Sequence, residues 1–190
     1  MSGSQTLPQE IEPGLSHPLS RTIEHVAQLV HYQIEPNNEQ DLAAALNRAT
    51  PNGSYHASAH WNISWQYRYQ VRNGQCQIQS AQVSLTSQML MPQLDIGYDT
   101  DAQTRDTFSE YYENLITHEY GHLDFGVLAA NHIENLLLDQ TTMSQCDDLG
   151  VASNARANDI IAHYTVLDDE YDEATDHGRT QGAYIYDLLN

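Results

Sequence analysis

The sequence predicts an α+β fold: an antiparallel or mixed sheet, one long helix carrying an HExxH motif, and a second long helix toward the C-terminus. Three observations predict it. From Tyr55 to Val71, apolar side chains hold the odd positions and polar ones the even, the period-two pattern of a strand with one buried face. From about Thr104 to Gln140, apolar residues recur at three- and four-residue spacing, as on an amphipathic helix. From Asp147 to about Thr175, Leu149, Ala152, Ile160, Tyr164, Leu167, Tyr171 and Ala174 fall close to one helical stripe.

Taken in order, Met1 to about Ser20 is polar and interrupted by Pro8, Pro13 and Pro18, so residues 1–20 read as a flexible segment and 21–190 as one domain. Val26, Val30, Tyr32 and Ile34 sit on alternate positions of a strand from Glu24 to Ile34, although Glu24 to His31 could also begin a helix. Pro36 ends that element. Asn37 or Asn38 can cap a helix over Glu39 to Ala49, with Leu42, Ala45 and Leu46 on one face, and Pro51-Asn52-Gly53 stops it. After the long alternating strand, Asn73-Gly74 is a hairpin signal and Cys76 to Met91 the returning strand. Its apolar phase changes between Ile78 and Ala81, which predicts a bulge near Gln79-Ser80. His56 and His60 share the polar face of the long strand about 13 Å apart, and read as surface residues.

Among 190 residues there are 26 acidic side chains against seven Arg and no Lys, a formal net charge of −19. Nucleic acid and anionic membrane are not expected partners, because neutralising phosphate needs clustered cations. No apolar run is long enough for a transmembrane helix. The N-terminus lacks the basic and apolar regions of a signal peptide. The expectation is an intracellular protein, or a secreted one whose signal peptide is not in this chain. Cys76 and Cys146 flank the HExxH helix and suit one disulfide closing a large loop, two buried thiols being the alternative.

The chemistry gathers at Thr117-His118-Glu119-Tyr120-Gly121-His122. Two imidazoles four residues apart on a helix project from one face and reach one metal ion, while Glu119 leans over that face as a candidate general base. Chance alone gives about 0.03 such motifs for this composition. The motif also interrupts an otherwise apolar stripe running through Phe108, Tyr112, Leu115, Gly126, Ala129, Ile133 and Leu137. A buried ionisable pair there is costly unless paired or bound to metal. Gly126 predicts a close approach by another element.

A catalytic zinc site takes three protein ligands and a water, so one more His, Glu or Asp is required. The continuation HExxHxxGxxH fails, because Phe125 stands where Gly is needed and Leu128 where the third His would be. His177, at a helix end beside Gly178, is the favoured third ligand, with Glu170 and Asp172 as alternatives; Asp172 would also serve as an acceptor orienting His177. With Zn²⁺ held by His118, His122 and His177, Glu119 would take a proton from water, and Tyr171 and Arg179 are candidate donors to the developing oxyanion. Packing for Tyr171 and a carboxylate partner for Arg179 are the simpler readings. Asp124 is a candidate acceptor behind the ligands. An extended peptide would add to a sheet edge.

The chain resembles bacterial proteins described as predicted secreted zinc-dependent proteases. The resemblance rests on the alternating strand Trp61 to Tyr69, Cys76, His118 to His122, and Tyr171-Asp172-Glu173-Ala174-Thr175-Asp176-His177-Gly178-Arg179-Thr180-Gln181-Gly182. It implies a zincin-like fold, a secreted or periplasmic location, peptidase action on a peptide or protein, and a functional role for His177. Two rivals share these residues: a non-catalytic module with a four-ligand structural zinc site, and a zinc hydrolase of a non-peptide substrate.

Overall fold

The architecture was obtained as a computed structural model and describes residues 15–51, 53, 55–95, 100–139 and 141–189. It is α+β with a mixed sheet and two long helices. Strand β1 (Glu24–Ile34) runs parallel to β3 (Gln75–Leu94), and β3 runs antiparallel to β2 (Ser58–Arg72), giving the order β1-β3-β2 with β2 at an edge. Helix α1 (Leu42–Ala49) lies between β1 and β2. Helix α2 (Ala102–Leu138), the two-residue strand β4 (Thr142–Met143), helix α3 (Cys146–Thr175) and the single-turn helix α4 (Ile185–Leu188) follow.

The alternating strand behaves as its sequence demands. Ile63 is buried, Trp61, Trp65 and Tyr67 are half-buried beneath the helices, and the intervening Asn62, Ser64 and Gln66 are exposed. Pairing shifts between Arg68 and Tyr69, which face Ser80 and Ile78 and leave Gln79 as the extra residue of a bulge. That one residue moves the buried set of β3 from Cys76 and Ile78 to Val83, Leu85, Ser87, Met89 and Met91. In β1 the inward set pairs with this second phase: His25 faces Leu85, Ala27 faces Ser87 and Leu29 faces Met89, while Val26 is 49% exposed on the outer face.

Asn38 Oδ1 accepts from Asp41 N and starts a 3-10 turn (Glu39–Asp41) leading into α1. Asp101 Oδ1 accepts from Thr104 N at the start of α2, which at 37 residues is about 55 Å long. Helix α2 crosses two apolar clusters. Val127, Ala130, Ile133 and Leu137 pack with β2, β3 and α3, whereas Phe108, Tyr111, Leu115 and Leu123 pack with α1, α4 and the far end of the sheet. The HExxH segment lies near the junction of the two. Tyr111, not Tyr112, is the core residue of its turn.

Cys76 and Cys146 are joined by a disulfide, with Cα atoms 5.2 Å apart, which fastens β3 to the start of α3. Residues 1–14 of the expected flexible segment lie outside the described residues. Residues 15–20 are tied to α2: Asp124 accepts from Ser16 N and His17 N, and Asn131 accepts from Ser20 N. No helix of the described residues is long and apolar enough to cross a membrane.

Candidate metal centre

His118 and His122 lie one turn apart on α2, and the closing turns of α3 pack across them. Asp172 completes a group of three. His118 Nε2 and His122 Nε2 are 3.2 Å apart, and each is 3.2 Å from Asp172 Oδ1. Bonds of about 2.0–2.1 Å in a tetrahedral centre place ligand atoms about 3.3 Å from one another, so this triangle has the dimensions of three ligands around one ion.

Proton placement points the same way. His122 Nδ1 lies 2.6 Å from Asp168 Oδ1, and His118 Nδ1 lies 2.9 Å from Gln181 Oε1. Both partners are acceptors, so each Nδ1 carries the hydrogen and each Nε2 presents a lone pair. Two lone pairs and a carboxylate oxygen thus converge at 3.2 Å, an arrangement that is repulsive unless a cation or proton sits among them. Burial lowers the pKa of His118. For His122 burial acts in the same direction, but the hydrogen bond and charge of Asp168, with the charges of Glu119 and Asp172, outweigh it and raise the value.

A set of contacts fixes these rings, and it explains the C-terminal motif residue by residue. Tyr171 stacks on His118 with centroids 5.2 Å apart and planes 15° from parallel. Gln181 Nε2 donates to the Tyr171 hydroxyl at 2.9 Å, and that hydroxyl donates to the His118 carbonyl at 3.3 Å. Thr175 Oγ1 donates to Tyr171 O and accepts from Gly178 N. Gly178, at φ 83°, passes so near His118 that a Cβ there would lie 3.0 Å from its Cγ. Behind His122, Asp168 Oδ2 accepts from Trp61 Nε1 at 3.0 Å, and Trp61 packs over Gly126, the close approach the glycine predicted.

The ligand atoms open onto a cleft of about 650 Å³ between the N-terminal end of β2, α2 and the C-terminal half of α3. Glu119 lines it, is 4% exposed, and among the described residues accepts no hydrogen bond. Burial pushes its carboxyl pKa up to about 7, against the lowering effect of His122. Such a group accepts and returns a proton near neutral pH.

Other residues singled out by the sequence sit elsewhere. His177, the favoured third ligand, stands outside the triangle, with Nδ1 3.5 Å from Asp172 Oδ2 and its ring 5.5 Å from that of Tyr55. The reason is the helix end: α3 continues through Thr175, so Asp172 still faces α2, and then Asp176 and His177 both turn left-handed, at φ 50° and 51°. Asp172 and His177 therefore lie side by side, at ion-pair distance and without a hydrogen bond between them. Glu170 is exposed and does not line the cleft. Tyr171 does not line it either, its hydroxyl being engaged by Gln181 and the His118 carbonyl. Arg179 stands at the cleft but binds Asp187 through Nε and Nη2 at 2.9 and 3.0 Å. Asp124 holds the N-terminal segment, and among the described residues no hydrogen bond or ion pair joins it to either ligand ring. His56 is no simple surface residue: its ring bridges the Tyr111 hydroxyl and Asn47. Asp168 and Gln181 were not singled out, although Asp168 lies one helical turn before Asp172.

Fold and site together define an α+β protein with a His-His-Asp group able to hold a metal ion, beside a buried carboxyl. The chain belongs to the family described as bacterial protein of unknown function (DUF922), which it matches over residues 29–178. That span includes the three metal-site residues, Glu119 and Asp168. No curated protein and no solved structure matches the chain.

Proposed function

We propose that this protein is a zincin-like zinc metallopeptidase in which His118, His122 and Asp172 hold the ion and Glu119 is the general base. The observation that carries the reading is the triangle of three lone-pair donors at 3.2 Å with the Glu119 carboxyl opening onto the same cleft beside it. Three protein ligands leave a fourth position for water, which favours a catalytic over a closed structural site. Zinc bound there would polarise a water and a scissile carbonyl. Glu119 takes the water's proton and delivers it to the leaving amine, its raised pKa suiting both steps. Asp168 and Gln181 keep both rings in the tautomer that presents Nε2. Tyr171 positions His118, and Arg179 borders the cleft.

The substrate is an extended peptide or unfolded protein segment. Strand β2 pairs only with β3 among the described residues, and the stretch from Tyr55 to His60 forms one cleft wall, so a peptide can add along that edge. The disulfide fits a secreted or periplasmic location.

The deciding experiment measures bound zinc and hydrolysis of an unfolded protein by wild type and by the Asp172→Ala, His177→Ala and Glu119→Gln variants. One zinc per chain, lost in Asp172→Ala and kept in the other two, with turnover abolished in Glu119→Gln, supports the reading. Zinc lost with His177→Ala instead makes His177 a ligand. Turnover that survives Glu119→Gln removes the assigned base.

A further inference from the structure

We propose that Trp61 is a positioning residue of the metal centre: its indole N–H fixes the Asp168 carboxylate that orients His122, so strand β2 helps to aim a ligand carried by α2. This rests on the metal-centre part of the peptidase reading. Three elements meet at Asp168. Its Oδ1, on α3, lies 2.6 Å from His122 Nδ1 on α2, and its Oδ2 accepts from Trp61 Nε1 on β2 at 3.0 Å. These are the two hydrogen bonds of that carboxylate among the described residues. Rotation of an Asp carboxylate about its last bond is soft, so a single bond through Oδ1 leaves its plane, and with it the His122 ring, free to turn. A second donor at Oδ2 closes that freedom. Metal-bound imidazoles take their tautomer and orientation from such acceptors, and the acceptors depend in turn on their own donors.

A half-buried indole needs an acceptor wherever it packs, so satisfaction of the N–H alone would explain any partner. Two observations give the Asp168 contact more weight. Gly126 lets the indole lie directly on α2, since a Cβ there would come within 2.7 Å of Trp61 Cγ and 2.8 Å of its Cβ. That glycine is one turn beyond His122, so Trp61 packs on the helix of the ligand whose acceptor it holds. Trp65 supplies the comparison. It is the other tryptophan of the chain, half-buried on the same side of β2, and it donates to Asn154 Oδ1 on α3 at 3.0 Å. Asn154 is neutral, exposed and outside the cleft. One strand thus presents two indoles to one helix, and only the first is bonded to the charged group behind a metal ligand.

The test uses Trp61→Phe, which keeps a ring over Gly126 and removes the donor, with Trp65→Phe as the control. Each is studied by nuclear magnetic resonance without metal and by zinc titration. In metal-free wild type the His122 Nδ1 proton should give a slowly exchanging signal far downfield, assigned by its loss in Asp168→Asn. It should persist in Trp65→Phe and broaden or vanish in Trp61→Phe. Zinc affinity should fall about tenfold in Trp61→Phe and stay that of wild type in Trp65→Phe. A His122 proton unchanged in Trp61→Phe, or equal zinc affinity of the two variants, overturns the proposal. If Trp61→Phe does not fold, the Trp65→Phe protein decides: its remaining indole N–H signal should shift as zinc saturates, and a stationary signal overturns the proposal. Wild type that takes up no zinc defeats the metal-centre reading instead, and the His122 proton, read without metal, still decides the part of Trp61.

Discussion

Tyr171 lies flat against His118, and its phenol fills the space that any side chain at position 121 would need. The glycine inside His118-Glu119-Tyr120-Gly121-His122 is therefore a packing requirement between α2 and α3. Gly121→Ala should destabilise the fold by about 1–3 kcal/mol through overpacking and weaken metal binding by displacing Tyr171. Denaturant unfolding and zinc titration check both. Because the two residues share one contact, Gly121→Ala combined with Tyr171→Ala should cost less than the sum of the single changes.

Asp168 holds the His122 tautomer without touching the ion's position. Asp168→Asn should lower zinc affinity about 10–100-fold while far-ultraviolet circular dichroism stays that of wild type. Unchanged affinity would make the Asp168 contact incidental.

Glu119 gives the metal-free protein a definite pH dependence. Its folded pKa of about 7 lies above the ordinary carboxyl value of 4.5. Below that ordinary value both states are protonated and burial carries no ionic penalty. As pH rises through the interval, the unfolded chain gives up its proton first, so stability falls, reaching a full cost of about 3 kcal/mol above the folded pKa. Metal-free Glu119→Gln should therefore exceed metal-free wild type by up to about 3 kcal/mol near pH 8 and match it near pH 4, read by denaturant unfolding.

The disulfide closes a loop spanning 70 positions at the end of α3 away from the site. In the chain-entropy model its loss should cost about 4 kcal/mol. Replacing both Cys76 and Cys146 by Ser should lower the melting temperature yet leave zinc stoichiometry intact in the folded fraction, since Asp168, Tyr171 and Gln181 hold the site end independently.

Much of this was legible in the sequence because it depends on local periodicity. The β2 alternation, the bulge at Gln79, the Asn38 cap and the HExxH face all follow from spacing. Asp172 against His177 was not, because both sit in one motif and the choice depends on where α3 ends and on two left-handed residues that are not glycine. Asp168 left a signal, an Asp one turn before another Asp on one helix, but only a search for ring acceptors would have used it. Gln181 left none beyond its place in the motif, since its role depends on the 3-10 turn Arg179–Gln181 that brings it back to His118. The donors expected of Tyr171 and Arg179 have nearer partners: Gln181 and the His118 carbonyl engage the Tyr171 hydroxyl, and Asp187 holds Arg179 where it stands at the cleft.

The bulge and the unbroken alternation leave the outer sheet face with Asn62, Ser64 and Gln66 beside Gln82, Ser84, Thr86 and Gln88. These amides and hydroxyls neither gain nor lose protons where carboxylates and histidines titrate. In an otherwise strongly acidic molecule that face is largely uncharged, its ionisable side chains being Glu24 beside Ser84, His60 beside Gln88 and Arg68 beside Ser80 among the described residues. Two such molecules meeting sheet to sheet would feel less mutual repulsion than in other orientations, so the colloidal behaviour of the protein depends on direction.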